Sequence, residues 1–353
     1  MENMVDKKFW KGKRVLVTGH TGFKGCWLTL WLHKLGAIVT GFSLEEYPND
    51  RMFRECGLSR MINDERGDIR NMGRLSEVFQ KYKPEIVFHL AAQPLVRLSY
   101  EKPVETLSTN IQGTVNVLQC IKDSNYTKAA VIITSDKCYR NNEWVWGYRE
   151  IDALGGFDPY SCSKACVELV VECYRNSFFK QAAKNVATAR AGNVIGGGDW
   201  AKDRIIPDCV KAITAGRPIE IRNPHATRPW QHVLEPTSGY LMLGQKLFES
   251  NGYDSAWNFG PYPQSIITVR EMVEIFLRKW GKGEWRDVSN TIQQPHEAKL
   301  LALDISKARF VLKWTPKLSV EESIEWTVEW YKKHSKESSY KLCIEQIERY
   351  EKS

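Results

Sequence analysis

The sequence lacks several features that would place the protein in familiar classes. Its nine cysteines are odd in number, lie scattered along the chain and never form a C-x-x-C pair. Neither a disulfide framework nor a zinc site is therefore predicted. No uninterrupted apolar run is long enough to span a bilayer, and residues 1–13 are polar without the apolar centre of a signal peptide. We expect a cytoplasmic, reduced protein with no metal ion and no membrane contact.

Charge of one sign is not concentrated anywhere along the chain either. The formal net charge is +8 over 353 residues, but Lys and Glu are interspersed and no dense Lys/Arg block appears. Nucleic acid is therefore not the expected partner, and a moderate positive charge also suits anionic phosphate substrates. A hydrophobic content of 42% and a charged content of 26% are typical of a globular protein with a sizeable core.

Short apolar runs alternate with helical patterns through the first half of the chain. Strands are predicted over 14–17, 38–42, 86–90, 130–134 and 186–191, and helices over 24–35, 72–81, 114–122 and 159–180. Buried strands that alternate with helices pair in parallel. The predicted fold class is therefore α/β, with a Rossmann-type doubly wound parallel sheet and a smaller C-terminal substrate-binding α/β domain.

The pattern changes after Gly192, where glycine and proline separate shorter elements. Further helices are predicted over 207–215, 236–249, 269–279 and 320–333. We expect a Rossmann domain over 12–192 that the later chain partly rejoins, a substrate domain mainly over 193–335, and a charged tail over 336–353. Ligands of doubly wound sheets bind at the carboxyl ends of the strands, which is where the second domain should lie.

The glycine-rich stretch 18–25, with the sequence TGHTGFKG, follows the first predicted strand and opens the first long predicted helix. Glycines allow the backbone to approach a pyrophosphate, and a helix N-terminus supplies free N–H groups. The spacing G-x-x-G-x-x-G favours the short-chain dehydrogenase variant of the Rossmann fold. The stretch therefore predicts a dinucleotide site, and a glycine-rich turn without a ligand is the alternative.

The end of the second predicted strand departs from the usual NAD pattern. An Asp or Glu there usually binds the adenosine ribose, whereas this chain has Ser43, followed shortly by Glu45 and Glu46. No Arg takes the position, so NAD is favoured over NADP without being required. Asp68 and Ile69 are predicted to flank the adenine. The strand 86–90 ends in small residues that suit a backbone beside a nucleotide, namely Leu90, Ala91 and Ala92.

Tyr160 and Lys164 are four residues apart in a predicted helix and therefore share one face. A phenol with a pKa near ~10 is a poor base at neutral pH, but a nearby ammonium and a positive nicotinamide ring stabilise the phenolate. Ser135, after the strand 130–134, is placed to share the hydroxyl proton. Asp136 and Lys137 supply a second acid–base pair, which simple hydride transfer does not need and which indicates elimination.

These motifs resemble the extended short-chain dehydrogenase/reductase superfamily and, within it, the nucleotide-sugar 4,6-dehydratases. The resemblance covers roughly 12–333 and is carried by residues 18–25, 90–97, 110, 135–139, 144–150, 160–164, 190–200 and 228–232. Several of these blocks resemble members of the family that act on CDP-glucose. CDP-glucose is therefore the expected substrate, and a homodimer or homotetramer is the expected assembly.

The resemblance implies a cycle in which the sugar is oxidised at C4, loses water across C5 and C6, and regains hydride at C6. Tyr160 would take the 4-hydroxyl proton, and Asp136 would protonate the leaving 6-hydroxyl. Lys137 stands where most dTDP- and GDP-sugar dehydratases carry Glu as the C5 base, and two roles stay open. A neutral Lys137 would be the C5 base, whereas a cationic Lys137 would stabilise the enolate.

The resemblance also implies the site residues. The expected catalytic set is Ser135, Asp136, Lys137, Tyr160 and Lys164. The expected NAD contacts are Gly19, His20, Thr21, Gly22, Phe23, Gly25, Ser43, Asp68, Ile69, Leu90, Ala91, Ala92, Asn110, Tyr160 and Lys164. The expected substrate contacts are Gln93, Asn193, Arg204, Arg228 and His296. Among these, Arg228 matches the family's pyrophosphate-binding arginine, a residue type suited to bidentate contacts with phosphate.

Two other classes of function fit parts of this pattern. A nucleotide-sugar 4-epimerase needs Tyr160 and Lys164 but no acid–base pair at Asp136 and Lys137. A non-catalytic dinucleotide-binding regulator needs only the glycine turn, and the intact set of Ser135, Tyr160 and Lys164 argues against it. A nucleic-acid binder would show salt-dependent affinity for DNA.

Overall fold

The computed structural model describes residues 5–45, 51–290 and 299–353. The helices are α1 Lys7–Trp10, α2 Phe23–Lys34, α3 Arg51–Glu55, α4 Met72–Tyr82, α5 Val96–Glu101, α6 Pro103–Leu107, α7 Gly113–Asp123, α8 Pro159–Tyr174, α9 Ile205–Thr214, α10 Leu234–Glu249, α11 Val269–Trp280, α12 Val320–Lys333 and α13 Ser339–Lys352. The strands are β1 Arg14–Thr18, β2 Ile38–Ser43, β3 Asn63–Arg66, β4 Ile86–His89, β5 Ala129–Ile133, β6 Asn185–Ala191, β7 Val194–Ile195, β8 Ile219–Ile221, β9 Thr227–Pro229, β10 Gln231–His232, β11 Ala256–Phe259, β12 Ile266–Thr268 and β13 Trp285–Asp287.

The main sheet is parallel throughout, with the strand order β3-β2-β1-β4-β5-β6-β11. The predicted doubly wound α/β fold is therefore confirmed. The chain moves outward from β1 in one direction and from β4 in the other, so the switch point lies between these two strands. The glycine turn after β1 and the small residues after β4 meet there.

Two strands of the main sheet, β3 and β11, are not predicted from the sequence. β3 consists of four polar residues, Asn-Asp-Glu-Arg, and lies at one edge of the sheet beside β2. β11 is also four residues long and pairs with β6 at the opposite edge. Both are too short for a periodic pattern, and backbone pairing with the neighbouring strand defines them.

The C-terminal segment 336–353, expected as a charged tail, contains the helix α13. Its side chains Leu342, Cys343, Ile347 and Tyr350 share one face of the helix and are buried. At its end, Glu351 accepts hydrogen bonds from the Trp31 indole at 2.8 Å and the Lys34 ammonium at 2.7 Å. The cofactor-side helix α2 is thus covered by α13, which explains why α2 is apolar on nearly all sides.

The chain after Gly192 forms three two-stranded sheets, β7 with β10, β9 with β12, and β8 with β13. One strand of each pair, namely β7, β8 and β9, and helix α9 form part of the wall of a groove that also touches the main sheet's carboxyl edge. Across the ranges that the structure describes, no helix is long and apolar enough to cross a bilayer.

A buried ion pair joins the elements on which the groove is built. Glu168 of α8 and Arg190 of β6 each have side chains 3% exposed, and their closest charged atoms lie 2.8 Å apart. Glu168 also accepts hydrogen bonds from the hydroxyls of Thr134 at 2.5 Å and Thr188 at 2.7 Å. Burial opposes ionisation of Glu168, but the charge and hydrogen bonds of Arg190 outweigh it and lower the pKa of this carboxyl.

Replacing one member of this pair should destabilise the protein strongly. Arg190→Met leaves Glu168 as an uncompensated buried charge, and we expect the free energy of unfolding to fall by about 3–5 kcal/mol. Urea denaturation followed by circular dichroism measures the change. The control is Arg270→Met, which breaks an ion pair with Glu274 whose side chains are 54% and 42% exposed. The control should cost less than about 1 kcal/mol, and equal losses in both variants would contradict the prediction.

Candidate active site

The glycine turn is shaped by close backbone contacts. Gly19 has a φ of +73°, and a Cβ atom on it would lie 2.6 Å from the backbone nitrogen of Ala91. A Cβ atom on Gly25 would lie 2.0 Å from the carbonyl oxygen of Gly19. Helix α2 starts after Gly22, which has no side chain to cap it. The N–H groups of its first turn are therefore available to a ligand, as a pyrophosphate site requires.

Other residues predicted to hold a cofactor surround this turn. His20 and Thr21 are buried, Phe23 is half-buried, and Ser43 lies at the end of β2. The hydroxyl oxygen of Ser43 lies 3.1 Å from His20 Nδ1 and 3.5 Å from the backbone nitrogen of Thr21. These contacts join the end of β2 to the glycine turn, where the ribose of a dinucleotide binds in this fold.

The chain after β4 contributes the opposite side of the cofactor region. Leu90 and Ala91 donate backbone hydrogen bonds to the carbonyl and hydroxyl of Thr18, at 3.1 and 3.3 Å, which places them and Ala92 beside the glycine turn. The Asn110 side chain accepts a hydrogen bond from the Gln93 backbone N–H at 2.8 Å and donates one to the Gln93 carbonyl at 3.1 Å. Asn110 therefore holds this loop in place.

The sequence also predicts ligand contacts for Gln93, Asp68 and Ile69. The Gln93 side chain bonds to the backbone of Leu95 and to Thr106, so it acts in loop structure rather than lining the groove. Asp68 forms an ion pair with Arg70, with the closest atoms 2.5 Å apart, while Ile69 is buried against α7. Asp68 and Ile69 thus form a fixed turn after β3, and their contact with an adenine remains a prediction.

The predicted catalytic tyrosine lies in the groove, in contact with Ser135. Burial raises the pKa of Tyr160 to about 12, and a hydrogen bond with Ser135 acts in the opposite direction. The Lys164 ammonium donates to the Ile133 carbonyl at 3.1 Å. Burial, and then the positive charge of Lys24, lower the pKa of Lys164 to about 7. The site therefore restrains ionisation of Tyr160 until a further positive charge enters the groove.

Asp136 is the buried acid of the site. Its Oδ1 accepts a hydrogen bond from the Ser135 hydroxyl at 2.9 Å. Its Oδ2 is buried and has no hydrogen-bond partner within the described ranges. Burial raises the pKa of Asp136, although the charge of Lys137 and the Ser135 hydrogen bond oppose this effect. A carboxyl whose protonated form is favoured by burial and which has an unpaired oxygen is suited to donate a proton to a leaving hydroxyl.

Three of the five predicted substrate residues lie along the same groove. Asn193, Arg204 and Arg228 all line it, together with Asp136, Lys137 and Tyr160. Arg204 pairs with Asp199 at 3.0 Å, and the buried Arg228 donates to the carbonyl of Thr227 at 2.8 Å. The groove therefore carries two arginines, a residue type suited to binding an anionic phosphate. His296 and Glu46 lie outside the described residues.

Lys24 is a groove residue that the sequence analysis did not select. It lies in the first turn of α2 and lines the groove beside Asp136. Burial, and then the positive charge of Arg204, lower the pKa of Lys24 to about 8. The glycine motif contained the available signal, since a lysine between Gly22 and Gly25 enters the helix at the phosphate-binding end.

The charged side chains of the groove are not arranged as a metal centre. No group of three or more His, Cys, Asp and Glu side chains in residues 5–45, 51–290 and 299–353 is arranged to hold a metal ion.

Comparison with known proteins gives relatives along nearly the whole chain. The model of a family described as GDP-mannose 4,6 dehydratase matches residues 16–327. A CDP-glucose 4,6-dehydratase of Salmonella typhimurium strain LT2 is 49% identical over 347 residues, covering 96% of this chain and 96% of that protein.

Solved structures share the fold at lower sequence identity. A UDP-glucose 4-epimerase of Thermotoga maritima has a TM-score of 0.79 at 22% identity, covering 92% of this chain and 100% of that one. A dTDP-glucose 4,6-dehydratase of Bacillus anthracis, solved in complex with NAD, has a TM-score of 0.77 at 21% identity, with coverages of 92% and 98%. The chain therefore belongs to the GDP-mannose 4,6 dehydratase family, a group of nucleotide-sugar enzymes within the extended short-chain dehydrogenases/reductases.

Proposed function

We propose that this protein converts CDP-glucose to CDP-4-dehydro-6-deoxyglucose with NAD as a bound cofactor. The observation that carries the proposal is the pairing of Tyr160 with a buried, partly unpaired Asp136 in one groove. Oxidation at C4 requires the first residue, and loss of water requires the second. The choice of CDP-glucose is supported by the Salmonella relative that bears that activity in its name.

The glycine turn fits NAD. A side chain on Gly19 would collide with the backbone of Ala91, and one on Gly25 would collide with the backbone of Gly19. The first turn of α2 presents backbone N–H groups to a ligand. NAD, when bound, supplies the two-electron acceptor for C4 and the hydride that returns to C6. Its positive nicotinamide ring is also the charge that would make the Tyr160 phenolate accessible.

Different side chains carry out the separate proton transfers of the reaction. Tyr160 takes the proton of the 4-hydroxyl, and Ser135 holds the Tyr160 hydroxyl in position. The resulting 4-ketone acidifies the proton at C5. Asp136, whose protonated form burial favours, gives its proton to the leaving 6-hydroxyl and releases water. Lys137, next to Asp136, either takes the C5 proton or stabilises the enolate that its removal forms.

The substrate is held mainly by the chain after Gly192. Arg204 and Arg228 would bind the diphosphate, with Asn193 beside them. We propose that residues 193–335 act mainly as the substrate domain and that residues 12–192 hold the cofactor, with β11 rejoining the Rossmann sheet. NAD and nucleotide sugars are cytoplasmic metabolites, which supports a cytoplasmic location.

A homodimer or homotetramer is the proposed assembly. Val104 of α6 is 79% exposed and Leu169 of α8 is 55% exposed. These two helices pack on each other, so their apolar side chains supply a surface for a second copy of the chain.

The reaction and the base preference can be tested in one experiment. The purified protein is incubated in heavy water with NAD and CDP-, UDP-, GDP- or dTDP-glucose, and the products are analysed by mass spectrometry. We expect CDP-glucose to lose water most rapidly and to gain one deuterium at C5. A product of unchanged composition with an inverted centre would identify a 4-epimerase. Absence of turnover despite bound nucleotide would support a regulator.

Asp136→Asn should separate C4 oxidation from water loss. The amide cannot donate the acid proton, so dehydration should slow by about 10²- to 10⁴-fold. Recovered CDP-glucose should still gain deuterium at C5. The control is Asp123→Asn, because the Asp123 side chain is 57% exposed and lies outside the groove, and it should retain full activity. Normal dehydration by Asp136→Asn would refute the assigned role.

Two variants of Lys137 distinguish its possible roles. Lys137→Met removes both the amine and the charge and should abolish product formation in either case. Lys137→Arg keeps the charge but cannot act as a base at neutral pH. Deuterium exchange at C5, measured by mass spectrometry, should therefore disappear in Lys137→Arg if Lys137 is the base. It should persist in part if Lys137 stabilises the enolate. Full activity of Lys137→Met would contradict both roles.

A further inference from the structure

The ribose end of the cofactor site contains a chain of hydrogen bonds that the proposed function does not use. His20 is fully buried, and its ring fills the space above Gly41, where an added Cβ atom would come within 2.3 Å of the ring. His20 Nε2 lies 2.8 Å from Asp64 Oδ1, and Nδ1 lies 3.1 Å from Ser43 Oγ. The sheet register sets this arrangement, because Gly41 pairs with Asp64 and Ser43 pairs with Arg66.

The ionised Asp64 determines which atom donates in each of these hydrogen bonds. Burial opposes ionisation, but hydrogen bonds from His20 and Arg66 outweigh it and lower the pKa of the Asp64 carboxyl. Burial lowers the pKa of His20, although Asp64 and a hydrogen bond with the Phe42 backbone act in the opposite direction, and this shift favours the neutral ring, which carries one N–H. A carboxylate only accepts hydrogen bonds, so His20 Nε2 donates to Asp64 and Nδ1 accepts from Ser43.

Ser43 therefore has only acceptor capacity left for a ligand. Its single proton is donated to His20, and one of its two lone pairs faces the backbone N–H of Thr21 at 3.5 Å. The remaining lone pair can accept a hydrogen bond from a hydroxyl group. It cannot interact favourably with a phosphate oxygen, which is itself an acceptor.

We propose that Asp64, His20 and Ser43 form a relay that selects NAD over NADP by presenting Ser43 only as an acceptor to the ribose 2′-position. A 2′-hydroxyl donates to this oxygen, whereas a 2′-phosphate meets an acceptor and a nearby carboxylate. The relay replaces the Asp or Glu that usually ends the second strand, with the carboxylate placed on β3. The inference rests on the proposed binding of NAD at the glycine turn.

Arg66 strengthens the same preference. It is the cation at the ribose end that a 2′-phosphate would need, but its Nη2 lies 2.8 Å from Asp64 Oδ2. Its Nη1 donates to the Leu44 carbonyl at 3.2 Å, and the guanidinium lies 5.1 Å from the ring centre of Phe53. Asp64 is thus a positioning residue that opposes NADP in two ways, by holding Arg66 and by orienting Ser43.

The test compares the Kd for NADP with the Kd for NAD, measured on nucleotide-free protein by quenching of tryptophan fluorescence. We expect the wild-type protein to prefer NAD by about tenfold or more, and Asp64→Asn to lower this ratio by about tenfold. The amide introduced by this substitution can donate to His20 Nε2, which reverses the relay and frees the Ser43 proton for a phosphate. The substitution also releases Arg66 from its ion pair.

Ser43→Ala tests the relay separately from Arg66. This variant removes the acceptor, so NAD should bind several-fold more weakly while NADP changes little. In the Ser43→Ala background, Asp64→Asn should change the ratio less than it does in the wild type, because the two residues act together. Equal effects of Asp64→Asn in both backgrounds would overturn the relay.

Glu45→Gln is the matched control, since Glu45 is an exposed carboxylate two residues beyond Ser43. It should leave the ratio unchanged. A ratio that changes in Glu45→Gln but not in Asp64→Asn would overturn the proposal. Equal weakening of both cofactors by Asp64→Asn, with a lower melting temperature, would show a structural role and overturn it as well. Failure of the wild-type protein to bind NAD would instead refute the proposed cofactor.

Discussion

The buried pair of Glu168 and Arg190 is the interaction on which the catalytic region depends. It joins α8, which carries Tyr160, to β6 and, through Thr134, to the end of β5, where Asp136 follows. Arg190 also donates to the hydroxyl of Tyr139 at 2.7 Å, so the chain beyond Asp136 is fixed by the same guanidinium. Ion pairs of this kind add little net stability, but they allow one arrangement of the surrounding elements, and here that arrangement places a phenol and a carboxyl in one groove.

Burial disfavours the charged form of the carboxyls in both halves of the candidate site, but it is outweighed in only one of them. In the catalytic half it raises the pKa of Asp136 and Tyr160 and lowers that of Lys164, so each of these groups is shifted toward its neutral form. In the ribose half, His20 and Arg66 keep Asp64 ionised despite burial. The difference follows from hydrogen bonding, because the Asp64 oxygens both accept from nitrogen donors while one oxygen of Asp136 has no described partner.

Much of the fold could be predicted from the sequence, because its central strands are apolar and several of its helices, such as α4 and α11, are amphipathic. The strands near 14–17, 38–42, 86–90, 130–134 and 186–191 are confirmed, as is the long helix that carries Tyr160. β3 was missed because its polar residues have no strand pattern and are held by pairing with β2. The helix α13 was missed because its many charged residues obscured the apolar face that packs near α2.

The sequence by itself determined the fold class, the dinucleotide turn and the spacing of Tyr160 and Lys164, since each depends on residues close together in the chain. The tertiary structure alone decided which distant groups meet. It placed Asp64 against His20, Lys24 beside Asp136, and Glu168 against Arg190. These contacts depend on strand order and register, which bring together residues far apart in sequence and which no local pattern encodes.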